Sequence, residues 1–323
     1  MLDDITDKVN NLKPEVMKLR EDALLVSQTS KLDGTDHCLN PKTCPCPEIC
    51  HPNLPEFSIY DIPRLSKKKK LQLLGDGVRA AMDIPDAFDL NEKQRLIAGL
   101  AKTNLEHIDQ KSLRSELEKI VFPAYFLDYE TCITAIPKYQ GYHPQQQIVF
   151  QYSLHKMEEP EGGVIHTDYF SASEKEPSLS ILEKMSKDIG SDGSVIVWNK
   201  TFEMTMNKEM ARVHPQFAGF LEQLNQRIYD LGDVVNRGYY LHPGFKGSWS
   251  IKNVLPVMVP ELSYKDLDIN KGDQASVTWL KICFGQLAES EKSHLIESML
   301  SYCKMDTFAM VEIFRLIKKR SVN

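Results

Sequence analysis

The chain has 323 residues, 42% hydrophobic and 26% charged, with 39 basic residues against 45 acidic ones and a formal net charge of −6. This is ordinary globular usage for about two domains; it excludes wholesale disorder and a basic nucleic-acid arm, so any contact with nucleic acid has to run through a local patch or through metal ions. No apolar run approaches the length of a membrane span, and the start MLDDITDKV lacks the apolar stretch of a secretory signal, which predicts a cytoplasmic protein.

Residues 4–26 predict one helix with a break near Pro14 and an apolar stripe of Ile5, Val9, Leu12, Val16, Leu19 and Leu24. Residues 30–64 are irregular, with prolines at 41, 45, 47, 52 and 55. Residues 66–120 predict helical pieces, with Asp89 and Ser112 as candidate caps. The basic run Lys67 to Lys70 is expected to be a solvated helix face. The texture changes at Val121. VFPAYFLDYET, IVFQYSLHKM and GVIHTDYFS read as three strands, the last two joined by a hairpin at EEPEGG. A helix over 178–189, the buried strand SVIVWN, the helix TFEMTMNKEMARV and a long C-terminal helix from Ser290 complete the pattern. The expectation is a mainly helical segment over 1–120 with a Cys-rich loop, followed by an α/β domain over 121–323 with a mixed sheet flanked by helices.

Three acidic features stand out. Asp128 and Glu130 lie two apart on a predicted strand, so both side chains share one face. Carboxylates that close repel unless a cation separates them, and hard divalent cations want such oxygen ligands. Asn199 and Glu203 follow a strand, where Glu203 would open a helix; taken alone, this pair is better explained by ordinary helix-start acidity. Tyr302 and Asp306 are four apart on a helix, hence on one side of it. A phenol beside a carboxylate of a metal site can orient an attacking water.

Together, FLDYET, WNKTFE and YCKMD resemble the three motifs of the DEDD exonucleases with a tyrosine in the third motif. The resemblance implies an RNase H-like sheet and two Mg²⁺ or Mn²⁺ ions that hydrolyse DNA or RNA from the 3′ end. PAYFLDYET, GYHPQQQIVFQYSLH, VWNKTFE, GFKGSWSIKNVLPVMVPELSYKDLDINKG and YCKMDT are more closely similar to the bacterial domain of unknown function 2779. Members of that family often carry a RecB-like nuclease domain upstream. Carried across by motif, Asp128 would bridge both metals, Glu130 would ligate one, Asp306 would complete the site and Tyr302 would position the water. One departure is that Glu203 stands where these enzymes usually have Asp, which makes Asp230 in RIYDL a candidate substitute ligand. It also leaves an alternative: a weak or inactive nucleic-acid-binding module acting with a partner nuclease. In GFKGSWSIKN, Gly244 and Gly247 permit close backbone approach, and Ser248 or Ser250 can cap a helix at Ile251. Lys246 and Lys252 could hold phosphates there, and Trp249 could stack on a base; a structural turn packed by Trp249 is the other reading.

Seven cysteines, an odd number without a secretory signal, argue against a disulfide framework. Cys38, Cys44, Cys46 and Cys50 crowd into 13 residues, a density that suggests a metal. The RecB-like companions often close over a four-iron four-sulfur cluster, and Cys38, Cys44 and Cys50 resemble three of its ligands. Zinc and a loop of free thiols remain open beside it. Cys132, Cys283 and Cys303 read as packing residues.

Overall fold

In the computed structural model, residues 6–28, 51, 53–264, 267–269 and 272–322 are described. The chain divides into two compact units, residues 1–103 and 104–323. The first holds α1 (Thr6–Gln28), α2 (Lys67–Gly75) and α3 (Glu92–Thr103). α1 continues through Pro14, where the sequence suggests a break. Val9, Leu12, Val16, Leu19 and Leu24 of its stripe are exposed. Ser66 starts α2 by accepting the Lys69 N–H at 3.3 Å. α3 starts on a reciprocal box in which Gln94 N–H donates to Asn91 at 2.9 Å and Asn91 N–H donates to Gln94 at 3.2 Å. The cap therefore sits two residues beyond Asp89, which pairs instead with Lys69 of the basic run at 2.9 Å. Ile59, Leu73, Ala81 and Ile97 are buried in this unit. The four-cysteine cluster lies outside the described residues.

The second unit runs β1 (His107–Ile108), α4 (Gln110–Leu117), β2 (Ala124–Ile133), β3 (Gln147–Met157), β4 (Val164–Phe170), α5 (Ser178–Asp188), β5 (Ser194–Val197), α6 (Lys200–Val213), α7 (Ala218–Gln226), β6 (Ile228–Asp230), α8 (Asp233–Asn236), β7 (Tyr240–Leu241), α9 (Ile251–Met258), α10 (Gly272–Phe284) and α11 (Glu289–Val322). α4 falls on this side of the division, which lies 17 residues before the boundary expected at 120. Two ties account for that. β1 pairs antiparallel with β7, and Arg114 of α4 donates to the Ser321 carbonyl of α11 at 3.2 Å. Asp109, not Ser112, caps α4, accepting the Ser112 N–H at 3.1 Å.

The main sheet has the order β4-β3-β2-β5-β6. β2, β3 and β4 are antiparallel neighbours, and β2, β5 and β6 run parallel. This follows from the connections: β2 to β4 are joined without helices, while β5 and β6 are reached through α5 and through α6 with α7. The mixed α/β sheet flanked by helices is the class the sequence predicts.

β2 is central and has two unlike faces. Tyr125, Leu127 and Tyr129 join a core with Ile181, Leu182 and Met185 of α5, Met206 and Met210 of α6, and Leu221 and Leu224 of α7. The alternate residues Phe126, Asp128 and Glu130 share the opposite face. There Phe126 packs on Phe314 of α11 with ring centroids 5.8 Å apart. β3 slips beside this face: Glu130 pairs with Gln151 but Thr131 with Val149, leaving Phe150 as the extra residue of a bulge. Phe150 stacks on Trp279 of α10 at 5.0 Å. Among the described residues no helix is long and apolar enough to cross a membrane.

Candidate functional site

The carboxyl ends of parallel strands, where strand order reverses, are where open α/β sheets form their crevices. β2, β5 and β6 bring Asp128 and Glu130, Asn199 and Asp230 toward such ends, and α11 crosses the same face of β2. A pocket of about 210 Å³ lies here, lined by Asp128, Tyr129, Glu130, Trp198, Asn199, Phe202, Glu203, Ile251, Lys252, Tyr302, Asp306 and Met310. All three motifs singled out in the sequence therefore converge on one cavity.

Each acidic side chain has its own local origin. Asp128 and Glu130 come from the two-residue period of β2; Asp128 is half-buried and Glu130 buried. Glu203 stands in the first turn of α6, 2% exposed, and its Oε2 is buried without a hydrogen-bond partner. Tyr302 and Asp306 stack one helical turn apart on α11, both buried. Their register is set by α11 docking on β3: Gln151 donates to the Met299 carbonyl at 2.9 Å, and Thr307 Oγ1 lies 2.8 Å from both Ser153 Oγ and His155 Nδ1.

Electrostatics follow from crowding. Burial, and then the Asp306 charge, push the Asp128 carboxyl well above its ordinary range. Glu130 is raised in the same way, by burial and then by Asp128 and Asp306. Glu203 is raised by burial and then by Asp128. Asp306 is pushed up to about 6, by burial. Lys252 is the cation of the pocket lining. Its Nζ donates to the Tyr302 hydroxyl at 2.7 Å and sits over the Tyr302 and Tyr264 rings, 5.0 and 5.7 Å from the centroids. Tyr264 donates to Asp306 Oδ1 at 2.6 Å.

A divalent cation fits this donor set. One ligand atom each from Asp128, Glu130 and Cys303 lie within 4.8 Å of one another. Glu203, whose Oε2 has no partner, lines the same pocket, and every carboxyl there is shifted in the direction that added positive charge reverses.

The remaining sequence candidates divide. Lys252 lines the pocket; Lys246, Trp249 and Asp230 do not. Asp230 Oδ2 accepts the Lys200 N–H at 2.9 Å, capping α6 in place of Asn199, whose side chain makes no cap bond. That is a structural reason for the acid at the end of β6. Lys246 adopts a left-handed conformation at φ 48°, followed by Gly247 at 69°. Gly244 packs so tightly that a Cβ there would meet Val257 at 3.0 Å. Ser250 precedes α9 as expected but makes no side-chain cap bond. Trp249 has an exposed side chain, while its carbonyl accepts from Trp198 Nε1 at 2.9 Å.

Two residues escaped sequence reasoning. Cys303, read as packing, points its Sγ at Asp128, 3.8 Å from Oδ2 and 3.9 Å from the carbonyl oxygen. Its place between Tyr302 and Asp306, three residues before the latter, was the available signal. Tyr264 carried none, because it lies in an irregular stretch between α9 and α10.

The fold and pocket define a mixed α/β domain with a buried cluster of carboxylates flanked by a phenol and an ammonium. Residues 125–250 match the sequence profile of a family described as "Domain of unknown function (DUF2779)". The chain is also similar to the uncharacterized protein UU173 of Ureaplasma parvum, 30% identical over 156 residues, 43% of this chain and 22% of that protein. The uncharacterized protein MG366 of Mycoplasma genitalium is 25% identical over 149 residues, with the same coverage. The matched stretch thus spans about a fifth of these relatives. No solved structure matches the chain.

Proposed function

We propose that this chain is a metal-dependent nuclease of the RNase H-like DEDD type that hydrolyses DNA or RNA from the 3′ end. The observation that carries the reading is the convergence of Asp128, Glu130, Asn199, Glu203, Tyr302 and Asp306, from three distant motifs, on one pocket. A sheet with three antiparallel strands followed by two parallel crossover strands is compatible with that fold.

Asp128, Glu130, Glu203 and Asp306 are the residues that would hold Mg²⁺ or Mn²⁺, which supplies positive charge to the phosphoryl group and lowers the pKa of the attacking water. The protein's own contributions are positional. Lys252 fixes the Tyr302 hydroxyl, and Tyr302 orients the water along the line of attack. The Lys252 ammonium also balances a phosphate oxygen brought against the acidic wall. Tyr264 holds the Asp306 carboxylate in one rotamer.

The test is a single-stranded DNA or RNA oligonucleotide labelled at either end, incubated with Mn²⁺ or Mg²⁺. Shortening from the 3′ end is expected, and its loss in Asp128→Ala and Asp306→Ala. No degradation, or full activity in both variants, rejects the assignment. Glu203 in the usual Asp position favours a second reading, a binding module without turnover that serves a RecB-like partner nuclease. That reading predicts oligonucleotide binding that persists without metal. Cys38, Cys44, Cys46 and Cys50 are the proposed ligands of a separate iron–sulfur cluster or Zn²⁺, checked by metal analysis of the purified protein.

A further inference from the structure

Behind two of the pocket's carboxylates, outside its lining residues, lies a donor that is not oxygen. Cys303 is fully buried on α11, and its Sγ lies among carboxylates: 3.8 Å from Asp128 Oδ2 and close enough to Glu130 that the three ligand atoms fall within 4.8 Å of one another. A second, independent feature points to a ligand in the pocket that Asp128 and Glu130 line. Glu203 is 2% exposed, lines the pocket and leaves Oε2 without a partner. A buried, unsatisfied carboxylate oxygen is costly unless something binds it.

We propose that Cys303 is a metal ligand, so that the pocket is a mixed carboxylate–thiolate site suited to borderline cations such as Zn²⁺ and Co²⁺ as well as to Mn²⁺. This rests on the reading of the pocket as a metal site and adds the donor that sets its selectivity. The reasoning is donor chemistry. Oxygen-only sites suit Mg²⁺, Ca²⁺ and Mn²⁺, and a thiolate shifts preference toward softer ions. Coordination forms a metal–sulfur bond and releases the thiol proton to solvent. The helix supplies the geometry. Cys303 and Asp306 are three residues apart on α11, so one helix face presents both a sulfur and an oxygen to β2. A residue there serving only to fill space could be Ala or Val. The thiol instead faces the strand carboxylates, where a cation would sit.

The experiment uses the full chain with Cys38, Cys44, Cys46 and Cys50 replaced by Ser, so that the cluster cannot contribute thiolates, and Co²⁺ as the probe. The expected result is a near-ultraviolet thiolate-to-cobalt charge-transfer band of one-thiolate intensity, absent in Asp128→Asn. Cys303→Ser should abolish the band and weaken Co²⁺ binding by roughly 10–100-fold, the loss typical even of an outer partner of a metal ligand. Circular dichroism checks that Cys303→Ser and Cys303→Ala remain folded. The Asp128→Asn comparison keeps the native thiol and decides the matter if they do not. Cobalt bound with no charge-transfer band overturns the thiolate assignment and leaves the oxygen-ligand reading standing. No cobalt bound at all overturns both.

Discussion

Alternate residues of β2 face two different surroundings. On one side, Tyr125, Leu127 and Tyr129 enter an apolar core, and the three buried tyrosine hydroxyls nearby are each bonded. Tyr129 donates to Asn207 at 2.9 Å, Tyr152 to Asp188 at 2.6 Å, and Tyr125 accepts the Gly190 N–H at 3.1 Å. On the other side, Asp128 and Glu130 meet Cys303, Tyr302 and Asp306. This side is also largely buried, yet its carboxyls repel one another, and Oε1 of Gln151, opposite Glu130 on β3, lacks a partner, as does Oε2 of Glu203 in the first turn of α6. A sheet built for stability alone would satisfy both faces. On the function proposed above, a bound cation would complete this side.

The sharpest way to break this comparison is a crossed pair of neighbours. Asp128→Asn should lower nuclease turnover by roughly 10³-fold, the upper range for losing one electrostatic element of a site, while thermal denaturation finds it no less stable than wild type. Leu127→Ala should cost about 2–5 kcal/mol of stability in a urea titration, while the folded fraction keeps its activity. If the two variants exchange roles, the division into a stabilising and a working face is wrong.

Acidity offers the next test. Burial pushes the Asp306 carboxyl up to about 6 from an ordinary value of 3.8. Between those values the folded chain keeps a proton that the unfolded chain has released. Its contribution to stability is therefore complete below pH 3.8 and lost as pH rises through 6. Asp128, Glu130 and Glu203 shift in the same direction. Chelator-treated protein should thus lose melting temperature as pH rises across this window. Asp306→Asn should flatten the loss, and added Mn²⁺ should offset it in wild type only. A metal-free melting temperature that climbs across that window contradicts the crowding argument.

Smaller effects sharpen the picture. Tyr302→Phe keeps the ring and removes the hydroxyl that Lys252 holds; kcat should fall by about 10²-fold with little change in KM. An unchanged kcat would sink the positioning role of Tyr302. Thr307→Val removes the hydroxyl shared with Ser153 and His155 and should cost about 1 kcal/mol, read from chemical denaturation. A loss as large as that of Leu127→Ala would mean that the polar side of the sheet carries as much stability as the apolar one.

Much of the second unit was legible in the sequence because its signals are local. Alternation placed β2, β3 and β4, and a two-residue period put Asp128 and Glu130 on one face before any partner was known. A four-residue step did the same for Tyr302 and Asp306. The misplaced features were those in which a neighbour competes for a side chain: Asp89 is taken by Lys69, so Asn91 caps α3, and Asp230 spends one oxygen on the α6 backbone and stays out of the pocket. The edge of the second unit at residue 104 was hidden too, because it depends on β1 pairing with β7 and on Arg114 reaching Ser321, contacts more than a hundred residues apart.

By itself the sequence determined which residues carry charge, which share a face of a strand or helix, and which three motifs could form an acidic site, since periodicity and donor chemistry are properties of the local chain. Only the tertiary structure decided that these faces meet, that Lys252 grips Tyr302, that Tyr264 reaches Asp306, and that a buried thiol stands among the carboxylates. Those facts depend on how α9 packs against α11 and α11 against β2, and on the irregular chain after α9. Packing between distant segments has no local sequence signature.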